Sequence, residues 1–116
     1  MTLVAKQNVI QTIDGKIKYR VPSEGGRERY HIGVWIDGPD EELDTIQKVE
    51  YRLHPSFNKP LRSSGNRKNN FSITFWTWGT FEIEVLVHKI NGPTESFVHD
   101  MHFELPPDDG HTYQKV

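Results

Sequence analysis

Two short stretches of the chain hold side chains able to do chemistry: Leu53-His54-Pro55-Ser56-Phe57 and Trp76-Thr77-Trp78-Gly79-Thr80-Phe81. Each lies where a hydrophobic strand pattern meets turn residues, which puts His54, Ser56, Phe57 and Trp78 on loops. An aromatic cluster on loops marks a binding surface more often than a solvated turn, and the bland alternative for Phe57 and Trp78 is a plug at one end of the core. His54 and Ser56 stand two residues apart, so an imidazole base could reach a hydroxyl nucleophile. Against catalysis, there is no Gly-x-Ser-x-Gly elbow and no evident acidic orienter, and Pro55 and Phe57 crowd the serine. His54 could instead simply hold Ser56 in place. A metal would have to use His99, Asp100 and His102, of which only Asp100 and His102 share a strand face, with no third ligand evident. The chain has no cysteine, so thiolate ligands, disulfides and a cysteine nucleophile are all excluded. The expectation is a protein with no enzymatic activity, no metal and no cofactor.

The elements that must position these loops read as strands. Val9, Gln11 and Ile13 alternate up to Asp14-Gly15, and Ile17, Tyr19 and Val21 alternate beyond it, the strongest hairpin signal in the chain. Pro22 to Gly26 should end the second arm. Tyr30, Ile32, Val34 and Ile36 share one face of the next strand, closed by Asp37-Gly38-Pro39-Asp40. Residues 40 to 46 hold too few apolar positions for a stable helix and read as an acidic connection. Val49, Tyr51 and Leu53 then share a face and deliver His54 to the far end of their strand, where Pro55 and Pro60 stop the pairing.

Arg62 to Asn70 reads as a polar, solvated loop, because no stacking aromatics interleave Arg62, Arg67 and Lys68 as a nucleic-acid surface would require. Phe71, Ile73 and Phe75 alternate, Trp78-Gly79 breaks the pattern, and Phe81, Ile83, Val85 and Val87 resume it. Trp35 and Trp76 read as structural or sheet-surface residues. After the turn at Asn91-Gly92-Pro93, Phe97, His99, Met101, Phe103 and Leu105 face one way on a last strand, and a polar tail follows from Pro106. With no convincing helix, this predicts an all-β, immunoglobulin-like β-sandwich of about seven to eight antiparallel strands, whose loops cluster at two ends.

The 116 residues suit a single domain, with its core over about 8–105 and a tail over 106–116. A formal charge of -2 provides no global field for nucleic acid or an anionic membrane. No apolar run approaches the roughly 20 residues needed to span a bilayer, and the first residues lack the pattern of a secretory signal. A cytoplasmic protein is expected.

Taken together, Gly38-Pro39, then Val49-Glu50-Tyr51-Arg52-Leu53-His54-Pro55-Ser56-Phe57, Pro60 and Trp78-Gly79-Thr80-Phe81-Glu82-Ile83 resemble a YEATS domain, the immunoglobulin-fold module that reads acylated lysine. The resemblance covers about residues 30 to 105, and the acidic 37–43 stretch and short chain look most like the prokaryotic branch. It implies that Phe57 and Trp78 sandwich the acyl-lysine amide and that His54 and Ser56 line the channel. It also implies that Thr77, Trp78 and Gly79 form the loop whose backbone amide meets the acyl oxygen. Such a slot suits the chemistry: acylation removes the lysine charge and leaves a flat polar amide that aromatic faces can cover, a hydroxyl can accept from and a backbone N–H can donate to. The implied partner is an acetyl- or crotonyl-lysine peptide, with nucleic acid and membrane disfavoured. The alternative is a structural or protein-interaction domain of a prokaryotic signalling or defence system that has lost the pocket.

Overall fold

Alternation of inward apolar and outward polar side chains builds two sheets that close face to face. The structure, a computed structural model, describes residues 3–21, 27–106 and 110–116. Its elements are β1 (Val4–Val9), β2 (Ile17–Arg20), β3 (Arg29–Asp37), α1 (Asp40–Leu43), β4 (Ile46–Arg52), β5 (Leu61–Ser64), β6 (Ile73–Thr77), β7 (Phe81–Lys89), β8 (Glu95–Met101) and β9 (Tyr113–Lys115). In one sheet β1 and β2 lie end to end along the same edge of β3, β6 takes the other edge, and β9 pairs with β2. The second sheet runs β5-β4-β7-β8. Ile32, Val34, Ile36 and Phe75 from the first sheet meet Val49, Tyr51, Ile83, Val85, Val87 and Met101 from the second, all buried in one core.

This is the expected immunoglobulin-like sandwich, with nine strands among the described residues rather than seven or eight, and with one parallel pair, β2 with β9. The tail beyond Pro106 is therefore partly ordered into the sheet, where Tyr113 packs against Tyr19 and Tyr30. Leu61 to Ser64 is also a strand, not loop, because its backbone pairs with β4 although its side chains give no apolar alternation. The Asp14-Gly15 turn forms, with Thr12 N–H donating to Lys16 O at 2.7 Å and Gly15 at φ 83°. Its hairpin ladder does not: β1 and β2 spend their hydrogen bonds on β3, and only Gln11 bridges to Ile17. The stretch Pro22 to Gly26, expected to end the second arm, lies outside the described residues. The acidic connection contains one helical turn, α1, anchored by buried Leu43 and by the N–H groups of Glu42 and Leu43 donating to Pro39 O.

A buried hydrogen bond ties the two layers together. The Tyr51 hydroxyl, on β4, donates to Phe71 O at 2.5 Å just before β6. Phe71 is buried and holds φ 58° after Asn70 at φ 57°, a left-handed pair that bulky residues adopt only when their surroundings impose it. Here the imposing groups are Tyr51, the Asn66 carbonyl that accepts from Phe71 N–H, and Ile36 N–H, which donates to Asn70 O.

Candidate functional site

Where β4 ends, Leu53 is buried and its N–H donates to Pro60 O at 2.7 Å, so residues 54–60 form a closed excursion from the sheet. Pro55 and Pro60 carry no N–H and stiffen it, and Phe57 N–H donates to His54 O at 3.0 Å to turn it. Within the turn Ser56 N–H donates to His54 Nδ1 at 3.1 Å, and Ser56 Oγ lies 2.8 Å from the same nitrogen. An N–H can only donate, so Nδ1 is the unprotonated ring nitrogen and the hydroxyl must donate to it too. The lone pairs of Ser56 Oγ are left to accept. The Phe57 ring tucks inward, edge-on to Phe75 at 5.7 Å and 90° and tilted against Phe81 at 5.2 Å.

The other sheet supplies the facing turn. β6 ends at Thr77, whose buried Oγ1 accepts from Gly79 N–H at 3.3 Å and donates to Gly79 O at 3.2 Å. Binding both groups of Gly79 to one side chain fixes the turn and throws Trp78 outward, 54% exposed. The guanidinium of Arg27 lies over the Trp78 ring, 4.7 Å from its centroid.

The two turns meet in one groove of about 1070 Å³. All six residues expected from the sequence, His54, Ser56, Phe57, Thr77, Trp78 and Gly79, line it. Phe57 and Trp78 do not close on each other as a finished sandwich: Phe57 leans on the core aromatics and Trp78 carries Arg27. A second groove of about 830 Å³ shares His54, Thr80 and Phe81 with it, has Arg52 and Glu84, paired at 2.6 Å, in its lining, and is lined by neither Phe57 nor Trp78.

Sequence reasoning missed the floor of the main groove. The outer face of β3 and β6 carries His31 and Trp76 directly opposite each other in register, and their rings stack at 4.5 Å with 3° between planes. Arg20 lies over Trp76 at 4.2 Å. Burial, together with the charges of Lys18 and Arg20, pushes the His31 imidazole below its ordinary pKa and favours the neutral ring. Arg20, Arg27, Arg29 and Arg62 complete the lining. A signal for the first three existed, in that basic residues recur around Tyr19 and Tyr30, but only the sheet order β2-β3-β6 brings them to the loops. Among the described residues no three His, Asp or Glu side chains converge as metal ligands, and no helix is long and apolar enough to cross a membrane. His99 turns instead to Gln7, its Nε2 2.7 Å from Gln7 Oε1.

Comparison with known proteins points to one family. A model of the prokaryotic YEATS domain matches residues 30–102. The Transcription initiation factor TFIID subunit 14 of Schizosaccharomyces pombe is 35% identical over 74 residues, which are 61% of this chain and 30% of that protein. The chain thus spans less than a third of the length of that curated relative. Among solved structures, the Yaf9 YEATS domain bound to H3K27ac superposes with a TM-score of 0.60 at 21% identity, over 91% of this chain and 78% of that one. The Yaf9 YEATS domain recognizing H3K122suc peptide gives 0.58 at 21% identity, over 86% and 74%. These likenesses support the fold.

Proposed function

Because the chain belongs to the prokaryotic YEATS domain family, we propose that it is a non-catalytic binding module that captures an acylated lysine, acetyl or crotonyl in type, between the 54–60 loop and the Thr77–Thr80 turn. One observation carries the reading: turns from two different sheets bring a lone-pair-bearing Ser56 hydroxyl, the Phe57 ring and an exposed Trp78 to the same groove. Ser56 Oγ accepts the amide N–H of the ligand. Gly79 N–H is already engaged by Thr77, so the acyl oxygen is assigned to the Trp78 N–H. The lysine stem lies against Trp78 and Phe57, where a charged lysine would lose hydration against a cation–π attraction of only about 0.5–2 kcal/mol. The solved Yaf9 YEATS domains bound to H3K27ac and recognizing H3K122suc peptide support a peptide as the kind of partner.

The His54–Ser56 contact has the spacing of a base and nucleophile, but Nδ1 already receives the serine N–H, and no carboxylate hydrogen-bonds this imidazole among the described residues. Orientation of the hydroxyl is the role that geometry favours. A second reading, an interaction domain whose slot is closed, draws on Phe57 packing against Phe75 and Phe81 and on Arg27 covering Trp78. Titration of acetyl-lysine and crotonyl-lysine peptides into labelled protein decides between them. Saturable shifts at the Trp78 indole and Ser56 amide are expected; none at millimolar peptide would sink the acyl-lysine reading.

A further inference from the structure

The chain has six arginines. Arg52 pairs with Glu84, and Arg67 pairs with Asp40 and Asp44. The other four, Arg20, Arg27, Arg29 and Arg62, all line the groove, and among the described residues no aspartate or glutamate lines it with them. Three of them lie over its aromatic rings, Arg20 on Trp76, Arg27 on Trp78 and Arg62 on Phe57. Glu28, the carboxylate nearest in sequence, accepts a hydrogen bond from the Tyr30 hydroxyl at 3.0 Å.

Arg20 and Arg29 are also register partners on β2 and β3. Like charges directly opposite each other across a ladder oppose folding, so this pair is a local conflict of the kind that persists at functional sites. In a chain of formal charge -2, positive charge has been gathered at one place and left without intramolecular carboxylates among the described residues.

We propose that the groove takes a peptide bearing aspartate or glutamate side chains next to the acylated lysine, the carboxylates engaging Arg20, Arg29 and Arg62 while the modified side chain enters beside Trp78. This rests on the acyl-lysine reading for the slot and adds the chemistry of the flanking sequence, which is opposite in charge to a basic tail. Guanidiniums are suited to it because their planar fork meets a carboxylate with two parallel hydrogen bonds. A single-stranded nucleic acid is the rival anion. It needs open aromatic faces for its bases, and here Trp76 already carries both an imidazole and a guanidinium while Trp78 carries Arg27.

The test uses four fluorescent peptides of one length, acetylated or not on a central lysine and flanked by Glu or by Lys. At low salt the acetylated acidic peptide should bind at least about tenfold more tightly than the acetylated basic one, with the ratio shrinking at high salt as exposed charges are screened. Arg29 has no cation–π partner among the described residues, and R29Q and R20Q/R29Q should each lower the ratio while acetyl dependence persists. Equal affinity for acidic and basic flanks overturns this proposal and leaves the acyl-lysine slot standing. Acid preference without acetyl dependence retains the proposal's charge recognition and overturns the slot. Absence of binding by all four peptides, or tighter binding of a single-stranded oligonucleotide than of the acidic peptide, overturns the proposal.

Discussion

Nδ1 of His54 accepts twice from Ser56, from the backbone N–H at 3.1 Å and from the hydroxyl across 2.8 Å. The imidazole therefore fixes both the turn and the direction in which the serine lone pairs point. Ser56→Ala should leave the fold unchanged, since the residue is exposed, and should weaken acyl-lysine peptide binding by roughly three- to tenfold, the worth of one net hydrogen bond. His54→Ala keeps the hydroxyl but frees its rotor, so a smaller loss is expected. Peptide titration by calorimetry ranks the two, and a larger loss for His54→Ala would contradict the assigned roles.

Trp78 and Phe57 line the same groove but differ in what supports them. Trp78 is more than half exposed and Phe57 packs against Phe75 and Phe81. Trp78→Ala should abolish binding with little change in melting temperature. Phe57→Ala should weaken binding and also destabilise the fold by about 1–3 kcal/mol, below the cost of truncating a fully buried phenylalanine. Urea denaturation of both variants beside the binding assay separates these effects.

Tyr51→Phe removes the donor to the buried Phe71 carbonyl and should cost about 1–3 kcal/mol in urea denaturation. The same burial raises the Tyr51 phenol well above its ordinary pKa of 10.0. A group that binds its proton more tightly when folded contributes stability fully below its unfolded pKa and loses it as pH rises beyond. Stability should thus fall above pH 10, and Tyr51→Phe should flatten that alkaline limb.

At the acid end His31 and His99 act in the opposite sense. Burial lowers both imidazoles below 6.5, with Lys18 and Arg20 adding to the effect at His31. The folded protein then binds fewer protons than the unfolded chain, so stability is full above pH 6.5 and declines as pH falls below it. His99→Gln, which keeps a polar group facing Gln7, should reduce the slope of the urea midpoint between pH 7 and 5.

What could be read from the sequence follows from where side chains alone decide the outcome. β3, β4 and β7 alternate apolar and polar residues, with Ile32, Val49 and Val85 on buried faces; His54, Ser56, Phe57 and Trp78 were legible because turn chemistry interrupts the strands, and Thr77 and Gly79 through the family resemblance. β5 and β9 were not, since backbone pairing at sheet edges holds them with few apolar anchors. The β1–β2 turn was legible and its partner was not. Strand choice there depends on β3 offering one long edge to both. The groove arginines were hidden for the same reason: Arg20, Arg29 and Arg62 belong to three strands in two sheets, and only topology makes them neighbours.

The two walls of the groove belong to opposite layers of the sandwich, Ser56 and Phe57 hanging from β4 and Trp78 from β6. Tyr51, Phe71 and Phe75 fill the space between those layers. The gap between the walls is therefore inherited from the volume of the interior. A change of one methylene at Tyr51 or Phe71, neither of which lines the groove, should alter the thickness of the side chain the groove admits, so selectivity for a ligand can evolve at positions outside its lining.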